Sequence, residues 1–114
     1  MVIASNGVLD SNHPMLSLSE DGRLMIVFQG RDPAEKEGWG AVRAYVAEVS
    51  DTGAVSQPVA VKGNRKSVSY PSIVAGTVGR VFVAWTEATE KGANIFLSRG
   101  RREVIEKAAS SNPD

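Results

Sequence analysis

The chain has 114 residues, 42% of them hydrophobic and 23% charged, with 13 Lys and Arg set against 13 Asp and Glu. That length fits one soluble globular domain, and the charge balance argues against a general electrostatic affinity for nucleic acid or an anionic membrane. The absence of cysteine excludes disulfides, thiolate metal sites and a cysteine nucleophile.

In chain order, the N-terminal stretch MVIASNGVLDSN has neither a basic start nor a long apolar run. It reads as no signal peptide, no later window could span a bilayer, and a cytoplasmic location is expected. HPMLSLSEDGRLMIVF, from His13 to Phe28, reads as two strands around a turn. A long loop, QGRDPAEKEGWG, leads to a third strand in AVRAYVAEVS, a turn at SDTG and a fourth strand near Val55–Lys62. YPSIVAGTVGRVFVAW, from Tyr70 to Trp85, reads as two strands around a Thr77–Gly79 turn, and NIFLSRG follows as a third after TEATEKGAN. In the tail Arg101–Ser110, Val104, Ile105, Ala108 and Ala109 share one helical side, so a short amphipathic helix is the first expectation and the missing strand of the second blade the alternative.

A shift of 57 positions carries Val2 onto Val59, Pro14 onto Pro71, Gly22 onto Gly79, Arg23 onto Arg80 and Phe28 onto Trp85. A period of this length, built from about four short strands, is the pattern of propeller blades. LMIVF and VFVAW are apolar at every position, so both faces of each sheet must be covered, as they are when blades stack. A two-sheet sandwich also buries its strands but requires no repeat. The expected fold is therefore all-β: two four-stranded antiparallel blades, at 13–62 and 63–100, and a tail at 101–114. Residues 1–5 form a strand that completes a blade of a neighbour. Two blades cannot close a ring alone, so the chain either assembles or is a piece of a larger propeller; homo-oligomerisation is the leading expectation, with three chains giving six blades.

These residues resemble the sialidase superfamily of β-propellers and its Asp-box repeat proteins. The likeness rests on HP and YP opening an inner strand, DGRLMIVF and GRVFVAW forming the next, NIFLSRG the third, and SDTGAVSQPV leading to the fourth. Ser50, Asp51 and Gly53 are a shortened Asp-box, which the resemblance makes a structural turn, with the Asp51 side chain capping backbone N–H groups. A sialidase-like enzyme would draw arginines, a tyrosine nucleophile with a glutamate partner and an aspartate acid from many blades. The resemblance thus implies fold more strongly than activity.

In such propellers ligands meet the loops that join the fourth to the first strand and the second to the third. Here those loops offer His13, Asp32, Trp39, Arg65, Tyr70 and Glu87, with Asp10, Asn12, Arg31, Lys66 and Ser69 around them. His13 and Tyr70 are equivalent, each preceding a proline, and are expected near the central channel. His13 is the only histidine, so one chain cannot build a multi-histidine metal site, and no cofactor is expected. Trp39, between Gly38 and Gly40, suits a sugar-stacking platform or a seal at a subunit joint. The function expected is a non-enzymatic ring binding a small ligand, a carbohydrate first of all. The alternatives are a glycosidase assembled across subunits, with Asp10 or Asp32 as acid and Tyr70 or Glu87 as nucleophile, and a protein-interaction scaffold.

Overall fold

The computed structural model describes residues 4–32, 42–61 and 67–101. They form seven strands: β1 (Leu9–Leu18), β2 (Leu24–Arg31), β3 (Arg43–Val49), β4 (Val59–Ala60), β5 (Ser69–Ala75), β6 (Arg80–Thr89) and β7 (Gly92–Arg101). The first sheet has the order β1-β2-β3-β4 and the second β5-β6-β7, all neighbours antiparallel. The fold is all-β, with one four-stranded and one three-stranded sheet and no closed ring within the chain. The second sheet has no fourth strand among the described residues.

The repeat is visible in the hairpins. Ser19 N–H donates to Arg23 O at 2.8 Å, and Gly76 N–H donates to Arg80 O at the same distance, 57 positions later. In the first repeat Ser19 Oγ ties the turn together, bonding to the Asp21 carboxylate and to Arg23 O and accepting from Arg23 N–H. The β3–β4 turn is built alike: Ser50 N–H donates to Ala54 O at 2.8 Å and Ser50 Oγ accepts from Ala54 N–H at 3.1 Å. The side-chain cap found there is the Ser50 hydroxyl, which does the work expected of Asp51 because a serine at the turn's first position lies within reach of the amide four residues on. The β5–β6 turn closes differently, as a 3-10 turn at Thr77–Gly79 in which both Val78 (φ 59°) and Gly79 (φ 73°) are left-handed.

Three further expectations are corrected. The fourth strand of the first sheet does not run from Val55 to Lys62: Val55 makes an isolated bridge with Val49, and regular pairing resumes only at Val59–Ala60. Pro58, lacking an N–H, stands in the gap. Ala4 and Ser5 belong to a turn, with Val8 N–H donating to Ser5 O at 2.9 Å, because Gly7 (φ 82°) reverses the chain there. Arg101 ends β7 instead of opening a helix; the rest of the tail, like Met1–Ile3, lies outside the described residues.

The sheets pack by unlike faces. Strand register puts Met25, Val27, Ala44 and Val46 on one face of the first sheet and Ile26, Phe28, Tyr45 and Ala47 on the other. In the second sheet Val81, Val83, Trp85, Ile73 and Phe96 share one face, and Phe82, Ala84, Val74, Ile95 and Leu97 the other. The core joins the Met25 face to the Val83 face, with Val61 and Val68 of the connecting segment built into it. Since the 57-position shift carries Met25 onto Phe82 and Ile26 onto Val83, the joined faces are not equivalents. The Phe82 face, counterpart of the buried Met25 face, is turned outward, with Val74, Ile95 and Leu97 exposed. The Ile26 face, counterpart of the buried Val83 face, leaves Leu16 and Leu18 exposed. Its Phe28 end is approached by the chain's own start: the Ala4–Gly7 turn accepts a bond from Gln57 Nε2 at Asn6 O, 3.3 Å.

The sheets are close where β5 lies against β1 and β2. Toward β4 and β7 they part into an apolar groove of about 320 Å³, lined by residues that include Val46, Val59, Val61, Val81 and Val83. The pair is therefore a wedge, narrow at its first strands.

Candidate binding rim

The end of the wedge opposite the Ser19 and Thr77 turns carries the residues singled out in the sequence. Proline places them. Pro14 and Pro71 cannot donate to the β-ladder, and each sits at a break in register: Asn12 pairs with Gln29 but Met15 with Val27, and Ser69 pairs with Thr86 but Ser72 with Ala84. Each break inserts one extra residue, a bulge that re-aims the side chain beside it. That side chain is His13 (φ 52°) in one repeat and Tyr70 (φ 51°) in the other. A left-handed backbone at a non-glycine residue is strained, the more so before proline, and the same strain occurs at equivalent positions. The two rings meet edge to face with centroids 4.8 Å apart. Tyr70 N–H donates to Gln29 Oε1 at 3.0 Å, so a residue of the first sheet fixes the second sheet's bulge.

Both rings face solvent on adjoining first strands, at the narrow edge of the wedge. Asp10, a third left-handed residue (φ 53°), is exposed on β1, and Asp32 is exposed just beyond β2 at the same end. Trp39 and Arg65 lie outside the described residues. The expectation that Glu87 belongs to a loop is corrected: it is in β6, 2% exposed, and its Oε2 accepts from Trp85 Nε1 at 2.7 Å.

The first repeat explains Glu87. Its counterparts of Trp85 and Glu87 are Phe28 and Gly30. A Cβ on Gly30 would lie 2.9 Å from Leu9 O, so the first repeat has room for neither a carboxylate there nor a partner for one. The indole N–H and the buried carboxylate of the second repeat enter together, as a buried polar group requires. The aromatic pairing is otherwise kept: Phe28 stacks on Tyr45 (5.8 Å) and Trp85 on Phe96 (6.2 Å). The spacing of Trp85 and Glu87, two apart on a strand and hence on one face, was the signal in the sequence for this contact.

Among the described residues no group of three His, Cys, Asp or Glu could hold a metal ion, and no helix is long and apolar enough to cross a membrane. Comparison of the chain with protein-family models, with curated proteins and with solved structures finds no match.

Proposed function

We propose that the chain is a two-blade unit of a sialidase-like β-propeller, closed into a ring by copies of itself, six-bladed as a trimer, and that the ring binds a small ligand at its axial mouth. The observation that carries this reading is the packing of unlike faces. A contact between equivalent faces would leave a two-fold related pair with nothing further to add, whereas a contact between unlike faces leaves the complementary half on each end. The internal joint buries Met25, Val27, Ala44 and Val46 against Ile73, Val81, Val83 and Trp85. Of the equivalents of those two sets, Leu16 on the first sheet and Ile95 and Leu97 on the second are exposed, while Phe28, with Tyr45 and Ala47 beside it, is already buried within the chain; in the ring a second copy repeats the joint head to tail over the exposed part. The wedge shape bends that repetition toward closure with the first strands inward.

Carried around such a ring, the internal contacts name the external ones. Ala75 N–H donates to Ser17 Oγ at 2.9 Å within the chain; between chains the equivalent neighbours are Leu18 and Val74, both exposed in the single chain. The His13–Tyr70 contact, repeated across each subunit joint, becomes a belt of alternating imidazole and phenol rings around the axis. Aromatic edges and faces together with ring N–H and O–H groups suit a polyhydroxylated ligand, and carbohydrate is the class we assign. Repetition around the ring would add avidity to weak single contacts.

The test is a glycan array followed by titration calorimetry on the glycan retained, with Tyr70→Ala and His13→Ala beside the parent. The reading expects binding that both variants abolish at unchanged solution mass. Retention of no glycan, or binding indifferent to both substitutions, would contradict it.

A further inference from the structure

At the turn end of the second sheet stand three arginines on one face. Arg80 lies directly opposite Arg101 in the ladder, and Phe82 opposite Arg99, so all three side chains leave the outward Phe82 face. They surround a hollow of about 400 Å³ completed by Phe82 and Gly100. The first repeat is charged differently. The equivalents of Arg80 and Arg99 are Arg23 and Glu48, and there Arg23 Nη1 donates to Glu48 Oε1 at 2.8 Å. Where the first sheet has Glu48, the second has Arg99 at the equivalent ladder position. Arg80 and Arg101 face each other directly across the antiparallel pair, an arrangement of like charges that an acidic neighbour would relieve.

We infer that this arginine cluster is a docking site for a second copy of the chain, which inserts the acidic turn Glu20–Asp21 beside it. The inference rests on the head-to-tail ring proposed above and names the contact that sets its register. Within the chain, the bond from Ala75 N–H to Ser17 Oγ sets the β5–β6 turn, which begins at the next residue, at the Arg23 end of the first sheet. The residues of that turn are Thr77 and Val78, and their equivalents in the first repeat are Glu20 and Asp21, both exposed. Repeating the internal joint between two copies therefore carries Glu20 and Asp21 of one to Arg80, Arg99 and Arg101 of the other. The turn at the internal joint is neutral, Thr77 and Val78, whereas its first-repeat equivalent, Glu20 and Asp21, is acidic. The charges differ between the two joints in the sense that each requires. The internal joint needs no steering, because the chain connects it. The external joint has to be found by diffusion and held in one register, the role that complementary charge plays best.

The experiment uses the full chain and follows solution mass against concentration for the parent, Glu20→Arg, Arg99→Glu, the double variant Glu20→Arg/Arg99→Glu, and Leu97→Asp. Circular dichroism confirms that each is folded. The inference expects each single charge reversal to move the trimer midpoint to at least about tenfold higher concentration, and the double variant to restore it. Added salt should weaken the parent's assembly and not that of a variant with no acid–arginine contact left. If Leu97→Asp dissociates the parent assembly while both charge reversals leave it intact, the docking inference is wrong and the ring stands. If the parent is monomeric at every concentration, the ring and the docking site fall together.

Discussion

The residues that depart from ideal backbone geometry fall into two groups, and they should respond oppositely to mutation. Val78 is a β-branched residue at φ 59°, 90% exposed, touching nothing that rewards the strain. With Gly79 it forms the two left-handed positions of a tight hairpin turn, where Asn-Gly is the preferred pair. Val78→Asn should raise stability by about 1 kcal/mol, read as a higher urea midpoint at unchanged slope. Ser19 is the converse case, buried and bonded through its hydroxyl to both sides of its turn. Ser19→Ala should cost about 1–2 kcal/mol, and Ser50→Ala less, since Ser50 is exposed to water that can replace its bonds. Trp85→Phe removes the indole N–H that Glu87 accepts from and should lower stability by about 2 kcal/mol in the same unfolding assay. If that variant unfolds as the parent does, the indole contact does not hold Glu87 in the core.

Within each sheet, the elements show why some of the fold was legible in the sequence and some was not. Strands β2 and β6 declare themselves by unbroken apolar runs, LMIVF and VFVAW, in which every residue is buried or half-buried. The Pro14 and Pro71 spacing announced equivalent strand openings, but not that each proline drives a bulge with a left-handed residue before it, since that geometry follows from ladder pairing across strands. The apolar pattern from Val55 to Val61 suggests a longer β4 than forms, because Pro58 is the only mark in it of the lost donor. The polar stretch TEAT points to a loop, yet β6 continues through it to Thr89. The Glu87 carboxylate accepts from Trp85 Nε1, two residues back on the same face, a spacing that becomes legible only once the strand is known to continue. Gly30 marks a close approach, where an added Cβ would collide with Val8 Cγ1 and with Leu9 O. Gly30→Ala should cost about 2 kcal/mol, whereas alanine at the surface Gly100, where an added Cβ meets nothing within 4 Å, should leave the unfolding midpoint nearly unmoved.

At the scale of the molecule, the repeat gives the exposed apolar residues of each outer face a counterpart inside the chain. Leu16 and Leu18 on one outer face and Val74, Ile95 and Leu97 on the other are large apolar side chains about half to three-quarters exposed. Patches of this kind on a soluble chain mark contact surfaces. Each is the counterpart of a surface buried inside the chain: Leu16 of Ile73, Ile95 of Ala44, and Leu97 of Val46. The joint made inside the chain, between unlike faces, is the one that the proposed ring would repeat between copies. The central claim is that the open joint closes between copies. The most direct test is the mass of the full chain in solution by light scattering across a range of concentrations. A mass three times that of the chain, lost on Leu97→Asp without loss of fold, is the result predicted. A folded chain that stays at its own mass throughout would contradict the ring and, with it, the axial belt of His13 and Tyr70.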